Sequence, residues 1–349
     1  MAAGIQPLTL IQVGKESTDG TAVAATRRVL TRSGTYRHMQ TQELFEGQLS
    51  GVLSRSVTSP VITREASQLE ISTDLDFNQI LLPLLSGVKG GVTSSIPGSG
   101  EARLWTFAPS QTGPSVDPYT IEFVVDDGVG TTQQIEAPFG VTTSFEITGG
   151  VDALPQITWS MDARKSVQSA LTSGIALPAV EFASNLRWQM SLDTTWAGLG
   201  TTAINGQVYG FTWGQSALVM PQYYLQNRDA LDFAGVEAQM RTTDLAIEAT
   251  FDTGGSNLYE TEIAAKASGS TRFIQLRLLG AAFASPDNGR YHTIDLKGSF
   301  VHADDSMQDL GADRDGNSVV SLHLVSQYDS TSGQDVEYVV QNALASFPA

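Results

Sequence analysis

The sequence contains no cysteine. That excludes disulfides, thiolate catalysis and sulfur-ligated metal sites at once. Histidine is nearly as scarce, limited to His38, His292, His302 and His323. None stands in an HExxH or other paired spacing, so each reads as an ordinary or solvent-facing strand histidine. There is no Asn-x-Ser/Thr acceptor for glycosylation. No apolar run approaches the roughly 20 residues of a membrane-spanning helix. The opening stretch through Gly14 has neither the cationic start nor the apolar centre of a signal peptide. These absences predict a soluble protein, made and used without secretion and without a membrane.

Charge is also in short supply, and positive charge most of all. Charged residues make up 16% of the chain, below the quarter typical of soluble domains. Lys and Arg number 20 against 37 Asp and Glu, a net charge of −17. A protein that grips nucleic acid must neutralise phosphates, so that function is disfavoured. An acidic surface could still act on DNA by repelling it.

What is present is a normal apolar stock, 41% of 349 residues, enough for two domains. Thr, Ser, Gly, Gln and Ala fill the remainder, which suits strands whose exposed face is neutral and hydrogen-bonding. Strand alternation dominates. Residues 120–125 lead into the turn signal Asp126-Asp127-Gly128. In 141–148, Thr143, Phe145 and Ile147 take one face, and Thr142, Ser144, Glu146 and Thr148 the other. The habit recurs in 157–161, 293–300, 320–324 and 336–341.

Helices are few. Thr73 or Asp74 can cap one through 77–82, with Pro83 placed to kink or end it. Ser256 can cap another over 258–267, stopped by Gly269. Each helix follows a similar strand, 68–74 and 244–250, and precedes another, Arg103-Leu104-Trp105-Thr106-Phe107 and Arg272-Phe273-Ile274-Gln275-Leu276. The order strand, helix, strand, meander therefore occurs twice, which predicts a duplication. The expected fold is mainly β (α+β), with domains at 1–165 and 166–349. Each half also holds a long polar segment, 41–67 and 214–240. Such segments are usually functional arms or disordered tips, and in an assembling protein an arm that pairs with a neighbour is the natural use.

Site chemistry finds little support. The acidic loop of Asp304, Asp305, Asp309, Asp313 and Asp315 suggests calcium. With Gly316 in the glycine slot of an EF-hand, however, the first and last ligand positions fall on Gly311 and Leu322. Gly14-Lys15-Glu16-Ser17 lacks the upstream glycine of a P-loop, and no Gly-x-Ser-x-Gly elbow exists. No cofactor is expected, and nothing argues for an enzyme.

Three phrases resemble the tail tube proteins of long flexible-tailed bacteriophages. They are Val13-Gly14-Lys15-Glu16-Ser17-Thr18-Asp19-Gly20-Thr21-Ala22-Val23-Ala24-Ala25-Thr26-Arg27, then Leu192-Asp193-Thr194-Thr195-Trp196-Ala197-Gly198-Leu199-Gly200-Thr201, then Asp315-Gly316-Asn317 to Gln327-Tyr328-Asp329 with the closing Tyr338-Val339-Val340-Gln341-Asn342. The resemblance implies two tandem tail-tube-like β-sandwich or half-barrel domains, related in fold to the type VI secretion tube protein. Each would carry one short flanking helix and a long arm. It further implies a homotrimer forming pseudo-hexameric rings that stack into the tail tube of a virion, assembled in the host cytoplasm. The implied partners are the tape-measure, tail terminator and distal tail proteins, with DNA passing transiently through the channel. On this reading Glu122, Asp126 and Glu146 are expected to line the channel. Leu44, Phe45, Leu49, Val52, Tyr223 and Tyr224 are expected on the arms that join ring to ring. A second reading of the same sequence is a baseplate, receptor-binding or adhesion module built on a β-sandwich.

Overall fold

The computed structural model describes residues 9–43, 61–126, 132–151, 153–204, 206–224, 231–250, 258–307, 310–314 and 317–347. The chain is mainly β, as expected from its alternation. The first half runs β1 (Leu10–Lys15), β2 (Arg27–Val29), β3 (Ser33–Glu43), β4 (Val61–Asp74), a short helix α1 (Leu81–Pro83) that widens into a π turn (Leu84–Val88), β5 (Arg103–Phe107), β6 (Tyr119–Asp126), β7 (Thr132–Gly150), β8 (Gln156–Ala163) and β9 (Val167–Gln168). The second half runs β10 (Trp188–Asp193), β11 (Val208–Ser216), β12 (Val219–Gln222), β13 (Gly235–Ala238), β14 (Thr242–Thr250), α2 (Leu258–Ser268), β15 (Arg272–Ala282), β16 (Tyr291–His302), β17 (Leu310–Arg314), β18 (Asn317–Ser326) and β19 (Val336–Asn342).

The antiparallel pairings repeat. In the first half, one layer is β3-β4-β8-β7 and the other is β1-β6-β7-β9. The long strand β7 serves both, with its first part beside β6 and β9 and its last part beside β8. In the second half the layers are β11-β14-β18-β17 and β10-β15-β16-β19. There the work of β7 is divided between β16 and β17. Pairing of β7 with β11 joins the two halves, so one layer becomes the eight-stranded run β3-β4-β8-β7-β11-β14-β18-β17.

The strands hold because their pleat puts alternate residues on an apolar side. Ile157, Trp159 and Met161 are buried on β8, Leu245, Ile247 and Ala249 on β14, and Val320, Leu322 and Leu324 on β18. The two halves share this core. The Phe145 and Tyr338 ring centroids lie 5.6 Å apart, and Trp213 meets Phe300 edge-on at 5.3 Å. Trp213 donates its indole N–H to the Tyr338 hydroxyl at 3.2 Å, and that hydroxyl donates to Gln215. The polar atoms of Trp213 and Tyr338 are thus given partners in the core.

Several expectations need correction. Neither Thr73 nor Asp74 caps α1, which starts from Ile80 without a side-chain cap; Asp76 instead opens the turn before it, its carboxylate accepting from the Asn78 and Gln79 amides at 3.1 and 2.8 Å. Asp74 still belongs to β4 and pairs with Arg32 at 2.7 Å. Strand β5 is not the counterpart of β15. It crosses to the second half and pairs with β19, while β6, the partner of β1, occupies the place of β15. Of the two polar segments, 41–43 and 61–67 are strand, 44–60 lie outside the described residues, and 214–240 contains the β12–β13 hairpin. The expected division after 165 falls just before β9. Beyond it, β9 still pairs with β7, and Ala179 and Glu181 bond to Asn78, Phe77 and Asp76. Helix α2 does end at Gly269, whose φ of +63° suits glycine. The turn at 127–128, the cap at 256 and much of the acidic loop fall outside the described residues.

Candidate functional site

The outer face of the eight-stranded layer is polar because the residues opposite the core are the even-numbered ones of β4, β8, β7, β11 and β14. Cross-strand register lines them up in rows. One row reads Ser72, Thr158, Glu146, Gly214 and Asp244; the next includes Thr148, Thr212 and Ala246; and Glu248 stands opposite Gly210. Glu146 and Asp244 thus flank Gly214 at two strand spacings, about 10 Å. Glu70 lies on the same face, with Arg37 4.0 Å away. Two shallow hollows of about 440 and 430 Å³ mark this face, and Glu146, Asp244 and Glu248 are among their walls. An acidic, hydroxyl-rich and nearly lysine-free surface of this kind repels polyanions and offers few groups to hold them.

Of the residues expected to line a channel, Glu146 lies on this face and is exposed. Glu122 does not, and that assignment is corrected. It sits on β6 in the other layer at 2% exposure, accepting from the Ala25 amide at 3.1 Å and from the Thr172 amide and hydroxyl at 2.8 and 2.6 Å. Its charge is consumed by these three donors. Asp126 closes the same layer opposite Thr132, and its side chain lies outside the described residues. Glu70, Asp244 and Glu248 share this face with Glu146 and are not among the residues expected from the sequence. The alternation within 68–74 and 244–250 that marks the repeat also carries them, and reading its polar positions as a face would have found them.

The arm residues divide similarly. Leu44, Phe45, Leu49 and Val52 lie outside the described residues. Tyr223 packs within its own chain, 6.1 Å from the Phe233 centroid with the Arg64 guanidinium 4.2 Å from its ring. Tyr224 is exposed and donates to Glu237 at 3.3 Å. The β12–β13 arm lies over the first half. Phe139 and Val141 of β7 form a small second core with Val219 and Phe233. Arg164 is held between Phe139 and Phe233 and donates to the Phe233 and Ala234 carbonyls at 2.9 Å.

The edges of the layer are unlike each other in what they meet. β11 is paired on both sides, with β14 and β7. Its counterpart is β3. Gly34 and Tyr36 stand opposite Ile71 and Leu69 as Phe211 and Trp213 stand opposite Ile247 and Leu245. Among the described residues β3 pairs only with β4, and its residues 37–43 are all exposed. At the far end, again among the described residues, β17 pairs only with β18. Long unpaired strand edges are templates for another strand.

One side-chain chain has the order of a hydrolytic triad. Ser306 Oγ lies 3.0 Å from His302 Nδ1, and His302 Nε2 lies 3.0 Å from Glu262. The arrangement is sealed. Ser306 is 1% exposed and accepts from the His323 amide, and Glu262 is 0% exposed and paired with Arg272 at 2.9 Å. A nucleophile with no access and an occupied oxygen clamps α2 to β16 instead of attacking a substrate. Among the described residues no group of three or more His, Asp or Glu could hold a metal ion. No protein-family model matches the chain, and no curated protein matches it in sequence.

Proposed function

We propose that the chain is the repeating subunit of a closed tube, a tail tube protein of the long flexible-tailed phage type, with two tandem tube domains per chain. The observation that carries this reading is the contrast at the layer's edges. The internal junction seals the first sheet strand of the second domain, β11, against β7. The same strand of the first domain, β3, is paired with β4 on one side and, among the described residues, with nothing on the other, and the strand equivalent to the last part of β7, namely β17, is likewise paired on one side alone, with β18. Repeating the internal junction between copies pairs β17 of one with β3 of the next. Closure of this kind leaves no edge exposed, and three copies, as the sequence resemblance implies, would supply a pseudo-hexameric ring. The acidic outer face of the layer would then line the channel, where Glu70, Glu146, Asp244 and Glu248 repel the phosphates of passing DNA and let it slide. Tape-measure, terminator and distal tail proteins would be the partners, and the tail of the virion the location.

The register makes the test specific. Across the internal junction Thr212 faces Thr148. The equivalent of Thr212 is Thr35. Thr148 faces Gln156 on β8, and the residue so placed on β17 is Ala312, facing Val319 on β18. Because the chain has no cysteine, Thr35→Cys with Ala312→Cys gives a clean reporter. Oxidation is expected to yield covalent dimers and a closed trimer as the largest species. A chain that stays monomeric at high concentration without interchain disulfide would sink the proposal.

A further inference from the structure

Resting on that reading, we infer that the groove beside the end of β18 receives the β3–β4 arm of a neighbouring copy. The groove has a volume of about 770 Å³, and its walls include Ser110, Gln111, Met240, Arg241, Tyr328 and Asp335. Its base is built, since Arg241 is paired with Asp335 at 2.6 Å and also donates to the Ser110 carbonyl at 3.0 Å. Its apolar side is left in water, with Met240 93% and Tyr328 54% exposed.

The internal junction shows what belongs there. On the first half the corresponding positions hold the β12–β13 arm. The Glu65 amide donates to the Leu231 carbonyl at 3.1 Å, Arg64 covers Tyr223, and Arg164 donates to two arm carbonyls. By register, Arg64 and Glu65 correspond to Met240 and Arg241, and Arg164 and Lys165 to Gln327 and Tyr328. The arm that fills the first site leaves from the end of β11. The arm in the same topological place on the first half leaves from β3, and the two connections, from Met39 to Ala66 and from Ser216 to Thr242, differ in length by a single residue. The β3–β4 arm carries the apolar side chains Leu44, Phe45, Leu49 and Val52, which suit a site faced by methionine and tyrosine.

The chain's own arm is badly placed for this groove. β3 and β17 bound opposite ends of the eight-stranded layer, about 30 Å apart at one strand spacing per step. When β17 of one copy pairs with β3 of the next, the neighbour's arm emerges beside the groove. On this inference the arm acts within a ring, buckling each copy to the next.

The test places the photoreactive residue benzoylphenylalanine at Met240 in the Thr35→Cys, Ala312→Cys protein and mixes isotope-labelled with unlabelled copies. The expected result is mixed-isotope adducts mapping to residues 44–60 wherever the interchain disulfide forms. Disulfide without such adducts, or adducts confined to single copies, overturns this inference and leaves ring closure standing. Absence of both overturns ring closure and the inference with it.

Discussion

Glu122 and Glu146 carry the same side chain to opposite ends. Three donors surround the Glu122 carboxylate inside the protein, whereas Glu146 stands exposed in a row of hydroxyls and glycine. Removing Glu122 strands the Thr172 amide, at about 1–3 kcal/mol when buried, takes the acceptor from the Thr172 hydroxyl, and leaves the Ala25 amide only that hydroxyl at 3.1 Å. Glu122→Ala is therefore expected to lower unfolding stability by about 2–4 kcal/mol in urea titration. Glu146→Ala should stay within about 0.5 kcal/mol. Equal losses would contradict these placements. His292 gives a pH signature. Its ring stacks on Phe283 at 4.0 Å and meets the edge of Phe77, and burial pushes its pKa below the ordinary histidine value. Glu181 lies 2.8 Å from its Nδ1, but burial, with help from the Asp76 charge, pushes that carboxyl towards its neutral form, so desolvation decides for the ring. The unfolded chain takes up the proton first. The stability is complete above the ordinary value of about 6.5 and is lost as pH falls below it. His292→Phe should flatten the difference in urea midpoint between pH 7.5 and pH 5.5; an unchanged difference would refute the assignment.

Among elements, those with strict alternation were legible and those whose partner lies far along the chain were not. Strands β8, β14 and β18 read directly from their apolar positions, because the pleat writes a local period of two. Strand β5 reads equally well as a strand, yet its partner β19 is more than 200 residues away, and nothing local in Arg103 to Phe107 encodes that choice. The polar face followed the same division. Glu146 was visible from alternation alone, while Glu122, equally alternating, was hidden by Ala25 and Thr172, which arrive from distant segments. The segment 214–240 reads as an arm, but its β12–β13 strands are not legible because each has only four residues and Pro221 interrupts the first. Its docking depends on Arg164. Arg164→Ala removes two hydrogen bonds and the cation between two phenyl rings. Amide hydrogen exchange is expected to quicken in 219–238 and stay unchanged in β14; no change in the arm would mean that Arg164 is not its anchor. At the shared core, Phe145→Ala should cost about 3–5 kcal/mol, since it opens a cavity beside Tyr338.

At the scale of the whole molecule, the account depends on an eight-stranded layer whose interior junction is satisfied and whose two ends, among the described residues, are not. The charge of −17 then acquires a location as well as a sign, through Glu70, Glu146, Asp244 and Glu248 on the open face. Reversing the three that surround the hollows, with Glu146→Lys, Asp244→Lys and Glu248→Lys, should leave folding intact. Assembled protein is expected to retain duplex DNA at low salt and release it as ionic strength rises past about 0.15 M, where the Debye length falls to about 8 Å. Unaltered DNA behaviour would place the face elsewhere than on a channel. The most direct measurement is electron microscopy of the concentrated native protein viewed end-on. Three chains closed around a central hole, with six similar lobes, is the expected image; separate compact particles with no hole, under conditions where the chain is folded, would contradict the account.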